Sequence, residues 1–213
     1  MREQAVHVVR LSGSDESAVP IALEIFDRAC PAVGRQNVMA FRSLDDPALF
    51  ALFCDWDSQY ARQRFVENDQ LREALRAAQE RLGVAVQLSA TLREVLSYGV
   101  QPRQARVITG ALLQAQRGAG QQVCDLASAF YRRSVGWPGC VALFLGAASD
   151  MRTFFLVQEW ERRQGLEYYL SHPDREAYLS QLGGLLEASP AWFEQIALWE
   201  YRRPKAEKRK GKE

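Results

Sequence analysis

The feature that most constrains this chain is that it repeats itself. At an offset of 104 residues, Phe26 falls on Phe130, Arg28 on Arg132, Asp46 on Asp150, Phe50 on Phe154, Leu52 on Leu156, Trp56 on Trp160, Leu75 on Leu179 and Leu82 on Leu186. Scattered coincidences would carry little, but these positions occupy equivalent points of one local pattern, so the 213 residues read as a duplication.

In the first copy, Ala5 to Leu11 is apolar and rich in β-branched residues, as a strand requires. Ser14-Asp15-Glu16 then offers a cap and acidic first-turn residues to a helix whose apolar stripe is Val19, Ala22, Leu23, Phe26 and Cys30, ending at Pro31 and Gly34. Asn37 to Leu44 reads as a strand, Asp45-Asp46-Pro47 as a turn and Leu49 to Trp56 as the partner strand of a hairpin. Helix formers dominate residues 58 to 82, and Thr91 to Tyr98 alternates as a last strand. The second copy repeats the order with strand Arg106–Leu113, helix Gln121–Val135 and turn Gly136-Trp137-Pro138-Gly139. Strands Cys140–Gly146 and Thr153–Trp160, helix Arg162–Leu186 and strand Phe193–Tyr201 complete it. Ser171-His172-Pro173-Asp174 predicts a break and restart in that second helix, with Ser171 as the capping residue; Asn68-Asp69 holds the same place in the first copy.

Each copy is thus β-α-β-β-α-β, the ferredoxin-like arrangement, with two helices on one face of an antiparallel sheet and the other face bare. Burying a bare face needs a partner, and a tandem copy supplies one. The expected fold class is α+β: tandem ferredoxin-like repeats, residues 1–101 and 102–203, forming an intramolecular dimeric barrel with the helices outside. Residues 204–213 are expected to be a disordered basic tail, and association of further chains is left open.

The formal charge of +1 conceals an asymmetry. Residues 202–213 carry seven Lys or Arg against two Glu, which leaves −4 over residues 1–201. An acidic body offers no concentrated basic footprint for phosphate, so no nucleic-acid partner is expected. The longest clean apolar run, Cys140 to Ala148, is well short of the roughly 20 residues of a spanning helix, so no membrane partner is expected either. Four cysteines lie no closer than sixteen residues apart, without a Cys-x-x-Cys pair or neighbouring His, which reads as reduced packing thiols of a cytoplasmic protein and not as a zinc set. Gly118-Ala119-Gly120-Gln121-Gln122-Val123 lacks the third glycine of a dinucleotide loop and is read as a turn.

Three segments carry a resemblance: Phe154-Phe155-Leu156-Val157-Gln158-Glu159-Trp160, Tyr169-Leu170-Ser171-His172-Pro173, and Trp137-Pro138-Gly139-Cys140. They resemble the antibiotic biosynthesis monooxygenase family of dimeric α/β-barrel proteins in its third strand ending in Trp, its broken second helix and its Pro-Gly turn. The first copy matches through Phe53-Cys54-Asp55-Trp56 and Phe65 but has Val33-Gly34-Arg35 in place of the Pro-Gly turn. The resemblance implies an oxygenase without cofactor, acting on a small electron-rich aromatic such as a phenol, quinol or anthrone that itself supplies electrons to oxygen. It also implies a pocket between sheet and helices. A haem-degrading branch of the same superfamily holds iron through a helix histidine; the matching positions here are Tyr178 and Leu75, neither of them that ligand. The competing reading is a non-catalytic small-molecule-binding or assembly protein of the same fold, and a haem-binding relative stands behind both.

For each candidate residue, a chemical role stands beside a plainer one. His172, at the helix break, suits a general base, or is a polar residue at a helix restart. Tyr178 and the neighbouring Tyr168 and Tyr169 could aim phenols at a substrate oxygen, or bury their rings and leave their hydroxyls in water. Trp56 and Trp160 could wall a pocket for a flat substrate, or cap equivalent cores. Arg132, which matches Arg28, could face inward to stabilise an anion, or belong to a solvated helix face. His7 alternates with Val6 and Val8 as a half-exposed strand residue.

Overall fold

The computed structural model describes residues 3–11, 35–56, 58–67, 83–99 and 107–195, with isolated positions between 69 and 80. The strands are β1 (Glu3–Leu11), β2 (Arg35–Ser43), β3 (Leu49–Trp56), β4 (Val84–Gly99), β5 (Val107–Gln114), β6 (Cys140–Ala148), β7 (Thr153–Trp160) and β8 (Ala191–Gln195). Helices α1 (Gln59–Val66), α2 (Gly120–Ser134), α3 (Arg163–Ser171) and α4 (Pro173–Gly183) pack with them. The helix expected between Ser14 and Cys30, with Arg28, the Asn68-Asp69 break and the linker at Pro102, lies outside the described residues or falls on positions too few to test it.

The eight strands of the described residues close into one antiparallel barrel in the order β1-β3-β2-β8-β5-β7-β6-β4. Within it, β4-β1-β3-β2 and β8-β5-β7-β6 each have ferredoxin-like order, and the ring closes where the edge β2 meets β8 and the edge β6 meets β4. Closure leaves neither sheet an open edge. The seams differ in length: Phe41–Ser43 pairs with Phe193–Gln195, whereas Leu92–Gly99 pairs with Ala142–Ala148. The 16-residue β4 reaches both ways, its first half pairing with β1 and its second with β6.

Strand register follows the sequence offset. Glu3 faces Trp56 and Arg10 faces Leu49 in one half; Val107 faces Trp160 and Gln114 faces Thr153 in the other, each 104 residues on. A register shift precedes the matched Trp in both hairpins, at Arg35/Asn37 and at Cys140/Ala142. The matched aspartates also act alike: Asp46 accepts the Ala48 N–H at 3.0 Å and Asp150 accepts the Arg152 N–H at 3.0 Å, each closing its hairpin through a side-chain turn.

The barrel wall has two apolar faces, which accounts for the unbroken run Phe154-Phe155-Leu156-Val157 where a half-exposed strand would alternate. Phe154 and Leu156 join the cluster under the helices of the second half, while Phe155 and Val157 point into the barrel. There Phe155 meets Phe53 at 5.9 Å and Phe41 at 5.9 Å, so aromatic rings from both halves fill the interior. The barrel is a packed core and not a channel.

Several elements differ from expectation, β4, β8 and the break between α3 and α4 among them. β4 begins at Val84, seven residues before the expected strand, because Val84–Ser89 pairs with β1. β8 begins at Ala191, and the residues after Gln195 lie outside those described. The helix break falls where the sequence places it, but the cap is His172: its Nδ1 accepts the Asp174 N–H at 3.2 Å. Ser171 instead ends α3, donating its hydroxyl back to the Glu167 and Tyr168 carbonyls, as Ser does inside a helix.

Candidate functional site

The resemblance implies a pocket between sheet and helices, and that space in the second half is largely filled. Helix α2 turns Val123, Cys124, Ala127, Phe130, Tyr131 and Ser134 inward at helical spacing, and α3 and α4 add Leu166, Tyr169, Tyr178 and Leu182. Phe130 and Tyr178 stack with centroids 4.1 Å apart and planes 2° from parallel. Trp160 is fully buried 5.2 Å from the Tyr169 ring. Trp56 is buried at the matching position of the first half.

Helix α3 is seated by a close backbone approach. Gly139 adopts a left-handed φ of 82° in the Trp137-Pro138-Gly139 turn, and a Cβ on Gly165 would meet the Pro138 carbonyl oxygen at 2.8 Å. The Pro-Gly turn of the sequence is therefore what lets α3 lie against the end of β7.

The phenolic oxygens of Tyr131, Tyr169 and Tyr178 are buried under these helices, close to one another. Burial pushes all three phenols above their ordinary value; their mutual proximity adds to this for Tyr131, and the neighbouring Arg175 charge partly offsets it for Tyr169. They are neutral hydroxyl groups, donors in waiting and not bases. Burial likewise raises the Cys140 thiol to about 11, so it is no thiolate nucleophile near neutral pH. Among the described residues no group of three or more His, Cys, Asp or Glu gathers as a metal site, and no helix is long and apolar enough to cross a membrane.

An open cavity of about 170 Å³ remains beside this cluster, where α3, α4 and β8 meet the β2–β3 turn. Leu166, Tyr169 and Leu170 of α3 line it, with Arg175 of α4, Thr109 of β5, and Trp192 and Phe193 of β8. Arg163 and Glu194 stand at its edge as a bidentate ion pair, one arm measuring 3.0 Å, and the Glu194 contact holds the Arg163 charge firmly. Arg175 is held differently. Its guanidinium lies 4.8 Å from the Trp192 ring centre and 5.4 Å from that of Tyr169, and its Nε is buried without a hydrogen bond.

Of the residues singled out in the sequence, Tyr169 alone lines this cavity. Tyr178 lies behind it, stacked on Phe130. His172 is half-buried and stacks on Trp137 at 4.4 Å, with Tyr168 against the same indole and 45% exposed. Arg132 is exposed on α2. Trp160 is covered and Trp56 belongs to the other half. Sequence reasoning passed over Arg175 and Trp192; the available signal was an Arg in the first turn of the restarted helix, where acidic residues are favoured and an Arg needs another reason.

No family model matches the chain, and no curated protein is significantly similar to it. Solved structures are similar over nearly the whole length. A candidate monooxygenase from Fusobacterium nucleatum superposes with a TM-score of 0.67 at 11% identity, covering 91% of each chain. An anthrone oxidase-like protein gives 0.67 at 10% identity, again covering 91% of each. The chain has the pseudo-dimeric α/β-barrel fold. A staphylococcal protein described as a major regulator of pathogenesis shares that barrel at a TM-score of 0.55 and 9% identity, covering 92% of this chain and 99% of its own. A barrel common to oxidases and a regulator leaves function to be argued from the cavity.

Proposed function

We propose that this chain is a member of the antibiotic biosynthesis monooxygenase family, a cytoplasmic tandem-repeat protein, and that its cavity takes a small electron-rich aromatic for oxygenation without a cofactor. The observation that carries the reading is the cavity wall: a tyrosine, an indole and four aliphatic or aromatic side chains line a space sized for one ring, with two guanidinium groups among them, one paired with Glu194. A cavity of about 150 Å³ suffices for benzene. An electron-rich ring with an acidic C–H can lose a proton, reduce dioxygen and end with one oxygen atom as a new carbonyl and the other in water. The protein's part is to bind the ring, exclude water and favour the anion, and Arg175 with the Tyr169 hydroxyl beside it is the group suited to the last task.

His172, with Nδ1 committed to the Asp174 N–H and its ring on Trp137, serves α4 in this reading. Oxygen uptake in the presence of monocyclic quinols and phenols, without added metal or flavin, tests the proposal. Uptake above the spontaneous rate supports it, and binding without uptake overturns it in favour of a small-molecule-binding protein. An assembly protein of the same fold is the other alternative, and it draws on the cavity being smaller than the roughly 300 Å³ at which ligand pockets usually begin.

A further inference from the structure

The geometry points to a narrower ligand than an aromatic in general: a monocyclic aromatic bearing a carboxylate, whose ring lies in the cavity and whose acid group is held by Arg175. The inference rests on the reading of this cavity as the ligand site, and it begins from an imbalance of charge. Two guanidinium groups line the cavity, and Glu194 satisfies that of Arg163 on both arms. Arg175 has no carboxylate partner among the described residues; a terminal nitrogen makes a long hydrogen bond of 3.4 Å to the Leu170 carbonyl, and the group also acts on the neutral Tyr169 hydroxyl.

Its guanidinium carbon lies over the Tyr169 and Trp192 rings and its Nε is buried, which leaves the terminal nitrogens as the part able to bind. A cation taken partly out of water beside two rings, with no carboxylate against it among the described residues, is stabilised when an anion completes it. A carboxylate matches such an edge in two parallel hydrogen bonds, whereas a neutral carbonyl of the same shape lacks the charge. The apolar remainder, Leu166, Leu170 and Phe193, takes the ring, and about 170 Å³ has room for one ring but not for a fused tricycle. Asp45, exposed at the rim, is the one carboxylate of the lining outside the Arg163 pair, and it opposes an anion.

The test is calorimetric binding of 4-hydroxybenzoate and of its neutral isostere 4-hydroxybenzamide to the full chain. The expected preference for the acid is about tenfold or more, the scale of a charge-assisted bidentate contact. Arg175→Gln removes the preference, and Asp45→Asn raises affinity for the acid, with thermal melts of both variants showing that they fold. Equal binding of the two ligands, binding of neither up to millimolar concentration, or a preference that survives in folded Arg175→Gln overturns the inference. Calorimetry involves no oxygen chemistry. A charge preference without oxygen uptake therefore overturns only the oxygenase proposal, and uptake on neutral quinols without a charge preference overturns only this one.

Discussion

The Arg175 guanidinium carbon lies 4.8 Å from the centre of the Trp192 ring, so the first turn of α4 is tied to β8 through a cation on an aromatic face. Replacing Trp192 by Ala removes both that contact and the apolar cover beneath it, and is expected to cost about 1–3 kcal/mol of folding stability. Trp192→Phe keeps an aromatic face and is expected to cost under about 1 kcal/mol. Urea denaturation of both variants checks the order.

Two helix glycines are expected to respond in opposite directions to the same methyl group. A Cβ at Gly165 meets backbone of the Pro138–Gly139 turn, which has no room to move away, so Gly165→Ala is expected to destabilise by about 1–3 kcal/mol. Nothing lies within 4 Å of a Cβ at Gly183 near the end of α4, and Gly183→Ala is expected to stabilise by about 0.4–1 kcal/mol by narrowing the unfolded ensemble. Paired thermal or chemical melts decide.

His172→Ala removes the cap of α4 and a ring stacked on Trp137, for an expected loss of about 1–2 kcal/mol. His172→Asn restores a capping oxygen and is expected to recover about 1 kcal/mol of that loss. A His172→Ala variant of unchanged stability whose oxygen uptake falls about 100-fold would instead mark His172 as a general base.

Of seven tyrosines, Tyr131, Tyr169 and Tyr178 have phenols raised by burial above the ordinary value of 10.0. Their neutral forms are favoured in the folded chain, so the stability they contribute is complete below pH 10.0 and declines as pH rises from there through their folded values, because the unfolded chain loses those protons first. An alkaline titration of phenolate absorbance is expected to show these three ionising only as the chain unfolds. Ionisation of Tyr131, Tyr169 and Tyr178 with the fold intact would contradict their burial.

Where the sequence carried a periodic or paired signal, the fold was legible in it. Leu49–Trp56 and Thr153–Trp160 were read to the residue because turn chemistry at Asp46 and Asp150 bounds each strand on one side and a buried Trp on the other. The start of β4 was missed because Val84–Ser89 is strand by virtue of pairing with β1, more than 70 residues away. The site was legible only in Tyr169. Arg175 owes its character to Trp192, which the β5–β8 register brings over it, and no local pattern in either segment announces that meeting. His172 drew attention as a titratable group at a helix break, yet a break needs a cap, and that local demand is what the side chain meets.

The most direct measurement on the central claim, that this cavity is where an aromatic substrate is oxygenated, is oxygen uptake by a variant with the cavity blocked. Leu170 is 44% exposed and lines the cavity, so Leu170→Trp fills the space from its solvent side with little effect on the core. Uptake is expected in the wild-type chain with a monocyclic quinol or hydroxybenzoate, and its loss by at least about tenfold in Leu170→Trp at an unchanged melting temperature. Equal uptake by the two proteins, or none by the wild type with any such substrate, would contradict the claim.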